Sequence, residues 1–424
     1  MNVLVLGGGG REHAICWKLA QSPSLDRLYC TPGNPGTALH ATNVEVDPAD
    51  HESLTSFAAR ANVDLVVVGP EDLLAGGVAD ALAAASVRCL GPVAAASRIE
   101  SSKSWANELM AEAGVPSAAF EVADDPDSAF EILDRSNFPI VVKADGLAAG
   151  KGVTVAGSPE EAREAVQTMM IDRAFGDAGD RVVIEECLVG QEVSAFALTG
   201  GKSLKMLPFA RDFKRVNDND EGPNTGSMGC YSPVAMVDPA LADEIERTIM
   251  RPTLDALARR GTPYVGFLYA GLMITDDGPR VVEFNCRLGD PEAQVVLPLL
   301  DCDLAEVSLL AAEGRLEEAR LQTADGAACC VVTASGGYPG NYTTGYPIEG
   351  IDEAEDIALV FHAGTAERNG SLQTAGGRVL SVVGQGADLD RARQRAYDAI
   401  DKITFANSHH RTDIAANDPE RIFA

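Results

Sequence analysis

The chain opens with short apolar runs set between amphipathic stretches: Val3 to Leu6, Ala14 to Leu19, Leu28 to Cys30, Leu65 to Val68, Val78 to Ala85 and Val87 to Leu90. Uninterrupted apolar runs of strand length that alternate with helical periods are the pattern of a parallel sheet covered by helices, so residues 1–100 predict an α/β unit. Glycine or proline follows most of these runs, as in Gly7-Gly8-Gly9-Gly10, Thr31-Pro32-Gly33-Asn34, Gly69-Pro70-Glu71 and Gly91-Pro92. In an open parallel sheet, ligands bind in the loops at the carboxyl ends of the strands.

The pattern changes near residue 101. Ser101 to Ala113 predicts a helix ended by Gly114, and Phe120–Val122, Ile140–Lys143, Val153–Val155, Val182–Ile184 and Val193–Leu198 predict short strands in hairpins, interrupted by helices over Pro159–Met170 and Pro239–Arg260. A further strand pair, Gly266–Ile274 and Arg280–Phe284, flanks the turn Asp276-Asp277-Gly278-Pro279. Beyond Arg320, strands near Ala328–Thr333, Ala358–His362 and Val379–Val383 and a helix over Leu389–Ile400 form a third region. The expected fold class is therefore α/β and α+β multidomain, with an N-terminal parallel unit, a largely antiparallel middle and a mixed C-terminal unit.

Composition narrows the chemistry. At 424 residues the chain is long enough for several cores, and 46% hydrophobic with 23% charged residues is a globular composition. The net charge of −29 repels polyanions over most of the surface and argues against nucleic acid, but a few glycines and basic side chains can still make a local anion site. Nine cysteines, an odd number without a Cys-x-x-Cys pair, indicate a reducing compartment. No stretch reaches the roughly 18 apolar residues of a membrane span, and the N-terminus lacks the basic start of a signal peptide, so the expected location is the cytoplasm with no membrane partner.

Four constellations carry chemistry. Gly7-Gly8-Gly9-Gly10-Arg11-Glu12 joins a strand to a helix, where backbone N–H groups and the helix dipole suit a phosphate. It lacks the third glycine of the dinucleotide fingerprint, and the second strand ends in Cys30-Thr31-Pro32 without the acidic residue that holds a ribose, so NAD is disfavoured. A tight turn without ligand is the bland alternative. Second, Lys143 ends a strand and Ala144 to Gly152 form a loop of small residues with Gly150 and Lys151, able to close over a triphosphate; the pattern is not the Gly-x-x-x-x-Gly-Lys-Ser/Thr loop, and a plain hairpin would look the same. Third, Glu185, Glu186 and Glu192 surround a strand end and could accept from adenine and ribose. Fourth, Glu283 and Asn285, two apart on one strand, share a face and suit Mg²⁺ bridging phosphates, although a solvent-facing strand is the commoner explanation of such a pair. Arg287-Leu288-Gly289-Asp290-Pro291-Glu292 follows, placing a guanidinium where a developing phosphate or acyl phosphate would need one. Upstream, Arg211 to Arg215 and Gly222 to Gly229 form polar loops fit to line a pocket.

These segments occur in an order that resembles the phosphoribosylamine–glycine ligases, ATP-grasp enzymes of purine synthesis. The resemblance runs essentially end to end, through Gly-Pro-Asn-Thr-Gly at 222–226 and the most specific segment, Arg-Leu-Gly-Asp-Pro-Glu at 287–292, to Gly-Gly-Arg-Val-Leu at 376–380. It implies an N-terminal αβ (pre-ATP-grasp) domain over 1–103, an ATP-grasp domain over 104–320 with a flexible lobe at about 120–190, and a C-terminal domain over 321–424 that closes the substrate site. It further implies ATP-dependent joining of glycine to phosphoribosylamine through glycyl phosphate, with Mg²⁺ or Mn²⁺, in a monomer. Carried over by position, Lys103, Lys143, Gly150, Lys151, Glu185, Glu186, Leu188 and Glu192 are nucleotide contacts, the backbone of 186–188 reading adenine. Glu283 and Asn285 are metal ligands, and Asp212, Lys214, Arg287 and Asp290 are catalytic. Asn224 and Thr225 line the glycine side, and Gly9, Gly10, Arg11, Glu12, Asn34 and Glu71 the phosphoribosylamine side. The loop near 144–152 acts as a lid that keeps water from the acyl phosphate. Phe213, Ser227 and His410 depart from the family's usual residues, and the scattered histidines, His13, His51 and His362 among them, read as structural.

Three other functions remain open at this point. A related ATP-grasp ligase or carboxylase for another amine would keep Lys143, Glu283 and Asn285 without the 287–292 segment. A nucleotide-binding sensor would bind ATP without turnover, and an NAD-linked oxidoreductase would need the missing third glycine.

Overall fold

The computed structural model describes residues 1–148 and 151–416. Five parallel strands form the N-terminal sheet in the spatial order Thr42–Asn43, Arg27–Pro32, Asn2–Gly7, Leu65–Val68, Arg88–Leu90. Chain order reverses beside Asn2–Gly7, which places a crevice between the ends of that strand and Leu65–Val68, the usual ligand position of an open α/β sheet. Here the crevice holds the protein's own Glu12. A Cβ on Gly69 would lie 2.0 Å from Glu12 Oε1 and one on Gly7 2.6 Å from Glu12 Cγ, so both positions require glycine.

Two antiparallel sheets make up the middle. The smaller runs Phe120–Ala123, Val182–Glu186, Ile140–Ala144, Val153–Ala156 and is covered by helices Pro126–Arg135 and Pro159–Val166 around their own core. The larger runs Leu204–Met206, Gln191–Gly201, Tyr264–Thr275, Gly278–Asn285. Its register slips by one between Gly271 and Leu272, which face Glu283 and Val281, so Val282 is the extra residue of a β-bulge. The slip shows in burial: Val281 and Phe284, three apart, both enter the same core, which a regular strand of period two forbids.

A third sheet runs Arg211–Asp212, Gly229–Ser232, Ala327–Ser335, Arg378–Gly386, Leu359–His362. Strands from the middle of the chain thus extend the C-terminal sheet, and Asp212 sits on its edge strand.

Two helices differ in detail from the sequence expectation. The helix expected from Ser101 begins at Lys103, because Ser102 takes an extended conformation and accepts from the Trp105 N–H at 3.3 Å as its N-cap; a separate helix, Ala94–Ser101, precedes it. The stretch Pro239–Arg260 is helical but widens over Glu246–Met250, just before Pro252, whose missing N–H interrupts the regular ladder. Among the described residues no helix is long and apolar enough to cross a membrane.

Candidate active site

A cavity of about 500 Å³ opens between the two central sheets, the N-terminal unit and the start of Arg378–Gly386. One wall carries apolar side chains, Ile99, Met110, Val141, Val155, Met273 and Phe284; the rest mixes charged side chains with neutral ones such as Asn107, Leu188 and Thr225.

The Val282 bulge assembles one end of it. Lys143 reaches across from the smaller sheet, and its Nζ donates to Val282 O at 2.9 Å and to Glu185 Oε2 at 2.6 Å. Glu185 also accepts from Asn107 Nδ2 at 2.8 Å, so both carboxylate oxygens of this buried ion pair have a donor. Glu283, turned by the bulge, faces the cavity beside Asn285. Burial works against ionisation of Glu283, yet Lys214, Lys143, Lys103 and Arg287 hold its carboxyl below the usual range. Lys103 lies at the start of its helix because Asp145, after strand Ile140–Ala144, accepts from the Ser104 N–H at 2.6 Å and offers its carbonyl to the Lys103 N–H at 3.0 Å.

At the other end Arg287 is clamped by two carboxylates, Glu71 Oε2 at 3.0 Å and Glu100 Oε1 at 2.8 Å. Leu288 is buried in the core, which pins the loop and leaves Arg287 and Asp290 on either side of it facing the cavity. Arg11 donates Nε to Glu12 at 2.7 Å and NH1 to Leu288 O at 3.1 Å, and lies 4.0 Å from Glu71. Asp290 stays below the usual carboxylate range because, against its burial, Arg378 and Arg11 flank it.

Between the ends sit Asp212 and Lys214. Burial pushes Asp212 up to about 7; Lys214 opposes this, and Glu292, Glu192 and Glu283 add to it. Lys214 Nζ donates to Glu192 Oε2 at 2.8 Å, and although burial pulls its ammonium down, Asp212, Glu192 and Glu283 hold it above the usual lysine range. Asn224 and Thr225 complete this wall. Thr225 donates both its N–H and its hydroxyl to Lys214 O, at 2.7 and 2.9 Å. Ser227 adopts φ 83°, a left-handed conformation that costs a non-glycine residue about 1–2 kcal/mol. Its hydroxyl compensates with a bond to Gly229 O at 2.9 Å.

Not every expected residue reaches the cavity. Glu186 and Leu188 line it, with Glu186 tied to Arg280 at 3.1 Å, but Lys151 does not, and Gly150 with the tip of the 144–152 loop lies outside the described residues. Gly9, Gly10, Glu12 and Asn34 stand one layer back. The Gly9 N–H is taken by Glu12 Oε2 at 2.6 Å, and Asn34 Nδ2 braces the loop by donating to Gly8 O at 2.9 Å and His362 O at 2.8 Å. His13 and His362 are buried behind this loop, the His362 N–H donating to His13 Nδ1 at 2.8 Å. Sequence reasoning missed Glu100, Asn107, Tyr269 and Arg378. For Glu100 the available signal was a carboxylate on the apolar side of a helix, next to Ile99.

With this geometry established, the comparisons identify the lineage. Models of the N domain, the ATP-grasp (A) domain and the C domain of phosphoribosylglycinamide synthetase match residues 1–100, 101–293 and 328–417. The chain belongs to the phosphoribosylglycinamide synthetase family. It is 50% identical over 421 residues to the phosphoribosylamine–glycine ligase of Streptomyces coelicolor, covering 98% of this chain and 99% of that one. It is 48% identical over 417 residues to the trifunctional purine biosynthetic protein adenosine-3 of Gallus gallus, covering 97% of this chain but 42% of that longer protein. The crystal structure of phosphoribosylamine–glycine ligase from Thermotoga maritima superposes with a TM-score of 0.84 at 35% identity, covering 98% of this chain and all of the other. The synthetase family's ATP-grasp fold is therefore this chain's fold, and the two central sheets around the cavity are its lobes.

Proposed function

We propose that the protein joins glycine to 5-phospho-D-ribosylamine at the expense of ATP, giving 5′-phosphoribosylglycinamide, ADP and phosphate in purine biosynthesis. The observation that carries this reading is the convergence of Lys103, Lys143, Lys214 and Arg287 with Glu283 and Asn285 in one cavity of a synthetase-family chain. Phosphoryl transfer needs positioning and charge neutralisation more than covalent chemistry, and that set of groups supplies both.

ATP lies between the two sheets, its adenine against the apolar wall and near 186–188, its phosphates toward Lys103 and Lys143. Glu283 and Asn285 present oxygen donors only, and two protein oxygens leave room for phosphate oxygens, which is a donor set suited to Mg²⁺ or Mn²⁺. When bound, the cation would draw the phosphate oxygens together and offset charge on the transferring group. Glycine's carboxylate oxygen attacks the γ-phosphorus, the bond to the ADP oxygen breaks, and glycyl phosphate forms. The amine nitrogen of phosphoribosylamine then attacks the acyl carbon, releases phosphate and loses a proton. Arg287, held by Glu71 and Glu100, faces the acyl phosphate, and Asp290, Asp212 and Lys214 order the glycine side. Arg11 and Glu71 bound the phosphoribosylamine side, with Gly9, Gly10, Glu12 and Asn34 shaping the loop behind them. We divide the chain at 103 and 320, with a mobile lobe at about 120–190, and place it in the cytoplasm as a monomer; the free state of all nine cysteines supports a reducing compartment.

The test is ADP release by the purified protein with ATP and Mg²⁺, given glycine, enzymatically generated phosphoribosylamine, or both, with mass spectrometry of the product. Turnover that requires both and yields phosphoribosylglycinamide is expected. Turnover with another acid or amine overturns the substrate assignment, and nucleotide binding without turnover overturns the reaction.

A further inference from the structure

Arg378 is the first residue of the strand Arg378–Gly386 and points from the C-terminal unit into the cavity. Its guanidinium meets two separate loops. NH1 donates to Asp290 O at 2.6 Å, to Gly226 O, and to Ser227 O at 3.4 Å, while NH2 lies 3.5 Å from Asp290 Oδ1. The fork rests against Gly226, where a Cβ would come within 3.1 Å of Arg378 Cζ. Tyr338, also from the C-terminal unit, accepts from the Gly226 N–H at 3.0 Å. Thr225, one residue back, is tied to Lys214.

The segment 224–227 is thus held from one side by the central domain and from the other by the C-terminal unit. Asp290 is drawn to it by the same guanidinium. Nothing else described on the cavity's rim binds both loops.

Building on the ligase reading above, we propose that Arg378 is a positioning residue: it locks the 224–227 loop to Asp290, so that the glycine side of the site is complete only while the C-terminal unit is docked. The planar fork suits this task, because three carbonyls and a carboxylate approach from fixed directions, and a lysine ammonium cannot reproduce that pattern. The adenine wall, Lys143, Glu185 and Glu283 are built on other elements and do not depend on it.

Arg378→Ala and Arg378→Lys test this against the wild-type protein in the complete reaction. A positioning role predicts that KM for glycine rises about tenfold or more and kcat falls about 10²-fold, while KM for ATP stays within about twofold. The lysine variant recovers only part of the loss. Tyr338→Phe, which removes one acceptor and leaves the fork, produces a smaller shift in the same direction. Far-UV circular dichroism and the unfolding midpoint report whether each variant folds; Tyr338→Phe carries the test if both Arg378 variants do not. Folded variants with wild-type kcat and glycine KM overturn the inference, as does a loss spread equally over glycine and ATP. Absence of turnover in the wild-type protein would instead overturn the ligase reading, so the two failures are distinguishable.

Discussion

Lys143 Nζ lies 2.9 Å from the carbonyl oxygen of Val282, the residue that the bulge leaves outside the regular cross-strand register. One extra residue in the strand thus does three things: it exposes a carbonyl to a lysine of the opposite sheet, turns Glu283 into the cavity and keeps Phe284 in the core. Deleting Val282 would leave Val281 facing Leu272, Glu283 facing Gly271 and Phe284 facing Ala270 in regular alternation, and would remove the carbonyl that accepts from Lys143. The deletion is expected to weaken ADP release and lower stability by about 1–3 kcal/mol, because the buried Lys143 ammonium loses an acceptor, whereas Val282→Ala keeps that carbonyl and the fold. Thermal unfolding of the two variants side by side checks this, and a deletion as stable as the alanine variant would refute the role of the bulge.

Removing Lys143 leaves Glu185 charged and buried with only Asn107 as a partner. Lys143→Ala is expected to cost about 3–5 kcal/mol in urea unfolding. The double variant Lys143→Met with Glu185→Leu should regain most of that stability and none of the ATP affinity, separating the fold's use of the pair from the ligand's. Recovery of ATP binding in the double variant would remove Lys143 from the nucleotide site.

Glu283→Gln and Arg287→Ala address the chemistry. Glu283→Gln keeps the shape and removes the charge, so the Mg²⁺ concentration for half-maximal turnover should rise at least about tenfold with the native circular dichroism spectrum retained. Arg287→Ala should lower kcat by about 10²-fold or more, and also cost about 1–3 kcal/mol because Glu100 is left with only the Cys286 N–H at 2.6 Å. Full activity in either variant argues against its assignment.

Asp212 has a carboxyl raised to about 7 by burial, so the folded protein binds its proton more tightly than the unfolded chain does. That contribution to stability is fully present below the ordinary Asp range near pH 4 and is lost as pH rises toward about 7. Asp212→Asn removes the dependence. Relative to wild type, the variant should gain about 1–3 kcal/mol between pH 4.5 and pH 8, measured by urea unfolding at each pH, the figure being discounted for the partial exposure of the site. An equal difference at both pH values would show that Asp212 titrates normally.

The net charge of −29 predicts that salt stabilises the fold. Self-repulsion among carboxylates falls as the screening length shrinks from about 10 Å at 0.1 M to about 3 Å at 1 M. The unfolding midpoint should therefore rise steadily with KCl over that range, and a flat or falling curve would show that the acidic surface carries no net strain.

The order of elements was legible along the chain because burial imposes periods of two and 3.6 on apolar positions. Val3–Leu6, Leu65–Val68, Val182–Ile184 and Leu389–Ile400 could be read on that basis. The Arg287 to Glu292 segment stood out through the resemblance it carries, whereas the Glu283/Asn285 pair alone reads more commonly as a solvent-facing strand, and only the packing shows that both line one cavity. The bulge was not legible. Val281-Val282-Glu283-Phe284 reads as ordinary alternation broken once, and only the partner strand Tyr264–Thr275 shows where the extra residue lies.

The same limit explains the glycine loop. Gly9, Gly10 and Arg11 suggested free amides for a phosphate, but Glu12 occupies the crevice and takes the Gly9 N–H, a contact fixed by how the helix packs on Gly69, which is distant in the chain. By itself the sequence determined the elements, the family and the residue types of the site, because local periodicity and short motifs are properties of neighbouring residues. Only the tertiary structure decided that Glu100 clamps Arg287, that Lys143 crosses to Val282 and that Arg378 joins Gly226 to Asp290. Those contacts join segments that only packing brings together, and hydrogen bonds of 3 Å depend on the exact placement of whole sheets against one another.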